Sequence, residues 1–240
     1  MEKLIYVVWA NPGADADARR RDLLARVQPA LLERGALRLS MDIKDSDAAI
    51  PAPVPWPDDE LPLAAVVSFW MDCHDRRGPF EEILLPLGDR VAGYLVTESL
   101  YMEYGGNQHS ARRDWPNGVR SPGVVQVSLL EQPSRLTYAQ WIDQWYGVQS
   151  PMSERVQPRA RYVRNTVARA LTADAPPYKG IVEECWASKE IPQNPMLYYN
   201  ANGSQETLRE NMMTMMESVS KFLDIDRIRV VMMSEYLLSS

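Results

Sequence analysis

The sequence predicts an α+β protein in which two βαββαβ repeats, each with an antiparallel sheet, form one barrel within the chain. Three observations carry this reading: the order of strand and helix patterns in the second half, the same order in the first half, and strands that are apolar in near-continuous runs. With 240 residues, 45% of them hydrophobic, the chain can bury a core of the size such a barrel needs.

In the first half, Leu4 to Trp9 reads as a strand, and a helix follows with Leu23, Leu24, Val27 and Leu31 on one face. Leu37 to Ile43 is a second strand. A loop with prolines at 51, 53, 55, 57 and 62 leads to a third, Ala64 to Met71. A helix around Phe80 to Leu87 is cut short by Pro86, and Val91 to Tyr101 closes the half.

The second half opens with a strand over Val124 to Leu130, after the turn residues Ser121-Pro122-Gly123. Thr137 and Gln140 have the spacing of a capping box, and Tyr138, Trp141, Ile142 and Trp145 continue at helical spacing. Arg159 to Leu171 and Ile181 to Ala187 are strands separated by Pro176-Pro177. Ser204 suits an N-cap, and Leu208, Met212, Met215, Val219 and Phe222 make the apolar stripe of a long helix. Met212, Met213, Met215 and Met216 are read as core packing. Arg227 to Leu238 is the last strand. This order is the ferredoxin-like arrangement.

Local echoes support a duplication. Val27-Gln28-Pro29 resembles Val148-Gln149-Ser150-Pro151, Phe69-Trp70 resembles Cys185-Trp186, and Arg90 through Glu98 resembles Arg227 through Glu235 at a constant offset. The division is therefore residues 1–104, a linker at 105–121 that Trp115 can pin down, and residues 122–240. Continuous apolar strands such as Val66 to Met71 and Val230 to Met233 need cover on both faces. Two such sheets would satisfy each other and enclose a dry, apolar pocket for a small organic molecule.

A net charge of −6 argues against nucleic acid or an anionic membrane as main partner. Arg19, Arg20 and Arg21 read as a solvated helix face. About six apolar residues precede Asn11 and Pro12, too few for a signal core or a span, so a cytoplasmic location is expected. Cys73 and Cys185 form no CxxC pair and read as buried structural thiols. Asp72-Cys73-His74-Asp75 is not a credible metal site, because adjacent ligands in an extended chain point apart; no metal is expected. Nucleophile-elbow, P-loop and dinucleotide motifs are all missing from the sequence.

The candidates for chemistry are few. His109 lies in the linker near Tyr101, Tyr104 and Trp115, as a general base over a pocket mouth or as a plain surface histidine. Glu98 and Glu235 sit at matching points of the closing strands, either as carboxyls with raised pKa or as partners of Arg161 or Arg164. Tyr236 adjoins Glu235. Arg161, Tyr162, Arg164 and Asn165 alternate faces, so one pair can line a cavity. Gln149, Trp145, Trp186, Trp70 and Asn211 complete the ligand-binding candidates.

The helix Tyr138 to Trp145 with Gln149-Ser150-Pro151, the strand Arg161 to Asn165, Gly180 to Glu184, the helix segment Glu206 to Met216 and the terminal Ser234-Glu235-Tyr236 together resemble the EthD-like branch of the dimeric α+β barrel superfamily. The resemblance is good over about residues 120–238 and faint before them. It implies fold more than activity, since the superfamily includes cofactor-free monooxygenases, cyclases, decarboxylases, isomerases and heme enzymes. The family commonly has a His before the helix-end Pro, where this sequence has Gln149, and Gln28 in the first half. Gln hydrogen-bonds but does not exchange a proton near neutral pH.

These features predict a cofactor-independent enzyme on a small aromatic or polyketide-like compound, doing lyase, isomerase or cyclase chemistry. The alternative is a non-catalytic binding or accessory protein. Heme is disfavoured because no His follows Val124. Internal duplication can replace the usual dimer, although leftover edges or helices allow a homodimer.

Overall fold

The computed structural model describes residues 1–10 and 13–239; Asn11, Pro12 and Ser240, including the expected end of the first apolar run, lie outside the described residues. Eight strands are present: β1 (Glu2–Trp9), β2 (Leu37–Ile43), β3 (Leu63–Met71), β4 (Arg90–Met102), β5 (Val124–Leu130), β6 (Arg159–Ala170), β7 (Gly180–Trp186) and β8 (Arg229–Leu237). They close into one barrel in the order β1-β3-β2-β8-β5-β7-β6-β4, with every pairing antiparallel.

Each half therefore contributes four strands in the order fourth, first, third, second. The halves join edge to edge along β2–β8 and β4–β6. Each described strand thus has a neighbour on both sides, and none of the leftover edges allowed for by the sequence remains.

Alternation along the strands separates two environments. On β1, Ile5, Val7 and Trp9 face the barrel interior, while Leu4, Tyr6 and Val8 face the helices. Burial on both sides explains the continuous apolar runs. The expected dry hollow between the sheets is not what the interior holds. Ile5, Val7, Val127 and Val231 pack one zone of it, and a belt of charged side chains occupies another.

Helix α1 (Ala16–Asp22) starts at Asp15, whose carboxylate accepts from the amides of Asp17 and Ala18, and runs through a π-helical turn at Leu23–Val27 into Gln28–Glu33. Helix α2 (Gly78–Leu84) is short and ends in a tighter turn, Leu85–Leu87, containing Pro86. Helix α3 begins at Tyr138–Ile142 behind the Thr137–Gln140 capping box, widens over Asp143–Gln149, and finishes as Ser150–Val156. Helix α4 (Gln205–Phe222) is capped by Ser204, which accepts from the Thr207 amide.

The two π-helical stretches come just before Pro29 and Pro151. A proline lacks the amide that would bond the carbonyl four residues back, and its ring crowds that carbonyl, so the helix widens there.

Several local expectations are corrected. Met215 is buried, but Met212, Met213 and Met216 are exposed, because α4 touches the sheet along a narrow stripe. Cys73 is half-exposed beside Asp75, whereas Cys185 is buried. Trp70 lies opposite Lys3 on the interior side, while Trp186 packs outward with Val124 and Met232. The Phe69-Trp70 and Cys185-Trp186 echo is thus out of phase by one residue, which turns the tryptophans to opposite faces. The 105–121 segment crosses one end of the barrel. Asn107 donates to the Arg159 carbonyl at 2.8 Å, and Trp115 meets Tyr104 edge-on with ring centres 5.0 Å apart.

Candidate functional site

A cavity of about 320 Å³ lies outside the barrel, between the outer face of the second half's sheet and helices α3 and α4. Its walls are largely apolar, with Trp145 from α3, Val219 and Phe222 from α4, and Val182 and Val230 from the sheet. The first half also reaches it: Pro53 and Val54, from the proline-rich loop, close one side. That loop is anchored farther on by Glu60, whose Oε2 accepts from Arg229 Nε at 2.8 Å.

The polar part of the cavity is small and interconnected. Arg159, 1% exposed, donates from Nη1 to Glu184 Oε1 and from Nη2 to Ser153 Oγ, both at 2.6 Å. Its guanidinium carbon sits 4.1 Å from the centre of the Tyr162 ring. Glu184 Oε2 accepts from Gln126 Nε2 at 2.9 Å, and the Tyr198 hydroxyl donates to Gln126 Oε1 at 3.4 Å. The Tyr162 hydroxyl accepts from Trp145 Nε1 at 3.1 Å. Burial pushes the phenols of Tyr162 and Tyr198 up, so both stay neutral hydrogen-bonding groups at neutral pH.

Two polar atoms in this lining have no partner. Gln149 donates from Nε2 to the Met215 sulfur at 3.2 Å, a weak acceptor, and its Oε1 is unbonded; Arg159 Nε is unbonded as well. A buried polar group left without a partner costs about 1–3 kcal/mol. The widened middle stretch of α3 is what sets Gln149 at the cavity. Ser150, the next residue, is tied from beneath by Arg164 Nη1 at 3.0 Å.

Of the candidates read from sequence, Gln149, Trp145 and Tyr162 line this cavity. Asn211 stands behind it, donating to the carbonyl of the lining residue Tyr199 at 2.7 Å. Trp186 stacks on Tyr198 from outside, with ring centres 4.8 Å apart. Trp70 is remote, beside Arg38 on the first half.

The four acid–base candidates do not converge there. Glu98 and Glu235 face the barrel interior, as do Asn165 and Arg161. Lys3 Nζ bonds Glu98 Oε2 at 2.6 Å and Asn165 Oδ1 at 2.8 Å, while Arg161 Nη1 bonds Glu235 Oε1 at 2.9 Å. Glu235 Oε2 also accepts from Tyr104 and Ser121, at 2.7 and 2.6 Å. The ion-pair alternative therefore describes both glutamates, with Lys3 in place of an arginine at Glu98. Tyr236 faces outward and donates to Asp45 Oδ2 at 3.2 Å; burial and then Asp45 push its phenol up to about 12. His109 stays in the crossing segment, its pKa lowered by partial burial. His74 bonds Glu2 Oε2 at 2.9 Å, and no group of three or more His, Cys, Asp or Glu among the described residues is placed to hold a metal ion.

Arg159, Glu184, Gln126 and Tyr198 were missed by reasoning from sequence. A signal was present on β5, where Gln126 and Ser128 take alternate positions of an otherwise apolar strand, whereas on β7 and β6 the neighbouring Glu183 and Arg161 masked Glu184 and Arg159. Gln126, Ser128, Glu184 and Arg159 all lie on the face that helices cover, where polar side chains need a reason.

No family model matches this sequence, and no curated protein does. Solved structures do. An anthrone oxidase-like protein superposes with a TM-score of 0.59 at 9% identity, covering 98% of this chain and 90% of its own. A protein provisionally described as a monooxygenase, from Fusobacterium nucleatum subsp. nucleatum ATCC 25586, gives 0.51 at 6% identity, covering 100% and 95%. The likeness is one of fold, a closed antiparallel eight-stranded α+β barrel with helices outside it. Here one chain supplies both halves of it, so the sheet–helix cavity of the second half and the barrel interior belong to a single polypeptide.

Proposed function

We propose that this chain is a cofactor-independent enzyme that moves a proton on a small aromatic or polyketide-like compound held between the second half's sheet and its helices. The observation that carries the reading is the Arg159–Glu184 ion pair set into an aromatic-walled cavity. Each Glu184 oxygen keeps a second lone pair after bonding Arg159 and Gln126, so the carboxylate can accept a proton from an acidic C–H or O–H. The negative charge then moves onto the ligand, where Arg159 beside Glu184 favours it. A resonance-stabilised anion of this kind is a common entry to isomerisation and cyclisation. The same anion is what dissolved dioxygen, as external electron acceptor, would have to meet for an anthrone-type compound to be oxidised, and one structural neighbour is described as anthrone oxidase-like.

An EthD-like kinship, duplicated units at 1–104 and 122–240 and a cytoplasmic location belong to the same proposal. Among the described residues no helix is long and apolar enough to cross a membrane. A homodimer would have to join through helices or loops, since the barrel uses the described strand edges.

The test is deuterium exchange at the acidic C10 position of anthrone, followed by proton NMR. Exchange above the buffer rate is expected, falling about 100-fold or more in Glu184→Gln with binding little changed. Undiminished exchange in that variant removes the reading. A second reading, binding without turnover, is favoured by the absence of histidine from the cavity lining. It predicts saturable binding with no exchange.

A further inference from the structure

We infer that the outward face of α4 is the surface on which a second copy of this chain docks, with the two helices antiparallel about Met213. The inference specifies the homodimer of the proposed reading and does not depend on that reading's chemistry. It starts from a row of apolar side chains left in the open: Met212, Met213 and Met216 are 37%, 66% and 55% exposed. Met215, Ser218 and Phe222, on the opposite side of the same helix, are buried. One inner apolar stripe is what packing α4 on the sheet requires, so a second apolar row on its outer face marks a contact.

Charge decides the occupant. Leu208, Met212, Met213 and Met216 form a shallow groove along α4, with Arg209 and Glu217 beside them. Arg209 and Glu217 lie four residues before and after Met213, about 6 Å along the axis to either side. A two-fold axis at Met213 sets Arg209 of each copy at the height of Glu217 of the other, so the attraction forms twice. A parallel arrangement would set arginine beside arginine and glutamate beside glutamate. Both charges are available: Arg209 forms no ion pair among the described residues, and Glu217 bonds Lys221 through Oε1 at 2.8 Å, leaving Oε2 open. Strand pairing offers a second copy nothing, because the closed barrel uses every described edge.

Met216 ties this face to the cavity. It lines the cavity as well as the groove and is half-exposed, so it stands at the cavity rim. Docking sets it beside Met213 of the second copy and covers that part of the rim. A pair of 18-residue helices, each ~27 Å long, covers less than the ~1,200–2,000 Å² of a tight complex. Association with a dissociation constant of about 10 μM is therefore expected.

The experiment is analytical ultracentrifugation of the full chain from about 1 to about 200 μM at about 0.15 M salt. The parent should pass from monomer to dimer across this range. Met213→Glu brings two carboxylates together at the axis and should weaken association about 100-fold. Arg209→Glu and Glu217→Arg each turn two attractions into two repulsions and should each weaken it about tenfold. Combining Arg209→Glu with Glu217→Arg restores both pairs and should return association to within about threefold of the parent. The three positions are exposed, and circular dichroism with a thermal melt confirms that each variant folds.

A dimer indifferent to Met213→Glu overturns the inference and leaves the homodimer itself standing. A double variant as weak as the single ones overturns the antiparallel register, and the inference with it. A parent chain that stays monomeric at the highest concentration overturns both the inference and the homodimer. A monomer that sediments with phosphatidylcholine vesicles, and is released by Met213→Glu, assigns the face to lipid and also overturns both.

Discussion

Asp42 lies inside the barrel opposite Glu235 in the β2–β8 register and is 5% exposed. Burial raises its pKa first, and the nearby Glu183 and Glu235 raise it further against the pull of Arg161 and Lys3. Burial also pushes Glu183 up, but Lys3, Arg161 and the Asn165 amide outweigh it and leave that carboxyl below its usual range. The fold thus favours the protonated form of Asp42. An unfolded aspartate titrates near ~3.9. Asp42 therefore contributes stability in full below that pH and loses it as pH rises through the elevated folded pKa. Asp42→Asn should be more stable than the parent at neutral pH, by about 1–3 kcal/mol, with the advantage shrinking as pH falls toward 4. Urea unfolding at several pH values reads this directly, and a difference that stays constant with pH would rule it out.

At the scale of elements, the cavity depends on how closely α3 lies on the sheet. Gly180 opens β7 directly beneath Trp145; a Cβ there would stand 2.8 Å from Cη2 and 3.0 Å from Cζ3 of the indole. Gly180→Ala should drive the ring toward the cavity, cost about 1–3 kcal/mol, and weaken aromatic ligands. Thermal unfolding with tryptophan fluorescence checks the first part and calorimetry the second; an unshifted melt with unchanged affinity would count against it. The π-helical turns before Pro29 and Pro151 show why one motif can serve two purposes. In the second half the widened turn sets Gln149 in the cavity lining, whereas in the first Leu23 and Val27 from the equivalent stretch simply fill the core.

Across the whole molecule, the two seams have related chemistry. Glu98 faces Asn165 across β4–β6, and Glu235 faces Asp42 across β2–β8. A piece comprising residues 122–240 would keep β6 and β8 as unpaired edges. Two copies can cover them by pairing β6 of each with β8 of the other, placing Asn165 near Glu235 twice, a neutral amide beside a carboxylate. The piece should therefore run as a dimer in light scattering, with the far-ultraviolet dichroism of a sheet–helix protein. A folded monomer would show that the edges do not need cover.

The order of elements, the capping box at Thr137, the N-cap at Ser204 and most strand bounds were legible in the sequence, because periodicity, caps and turn residues act over a few residues. Gln149, Trp145 and Tyr162 were legible as ligand-facing for the same reason, one strand or one helix turn at a time. The place of the cavity was not. Apolar runs reveal that both faces of a strand are covered, but not which cover leaves a gap, and that depends on how helices of a given length and shape settle on the sheet. Likewise, Glu98 and Glu235 were legible as carboxylates at matching points of the closing strands, either as acids of raised pKa or as ion-pair partners of a strand arginine. Closure of the barrel, which brings Lys3 and Arg161 from distant strands within bonding distance, decided for the ion pairs and supplied Lys3 as the partner of Glu98.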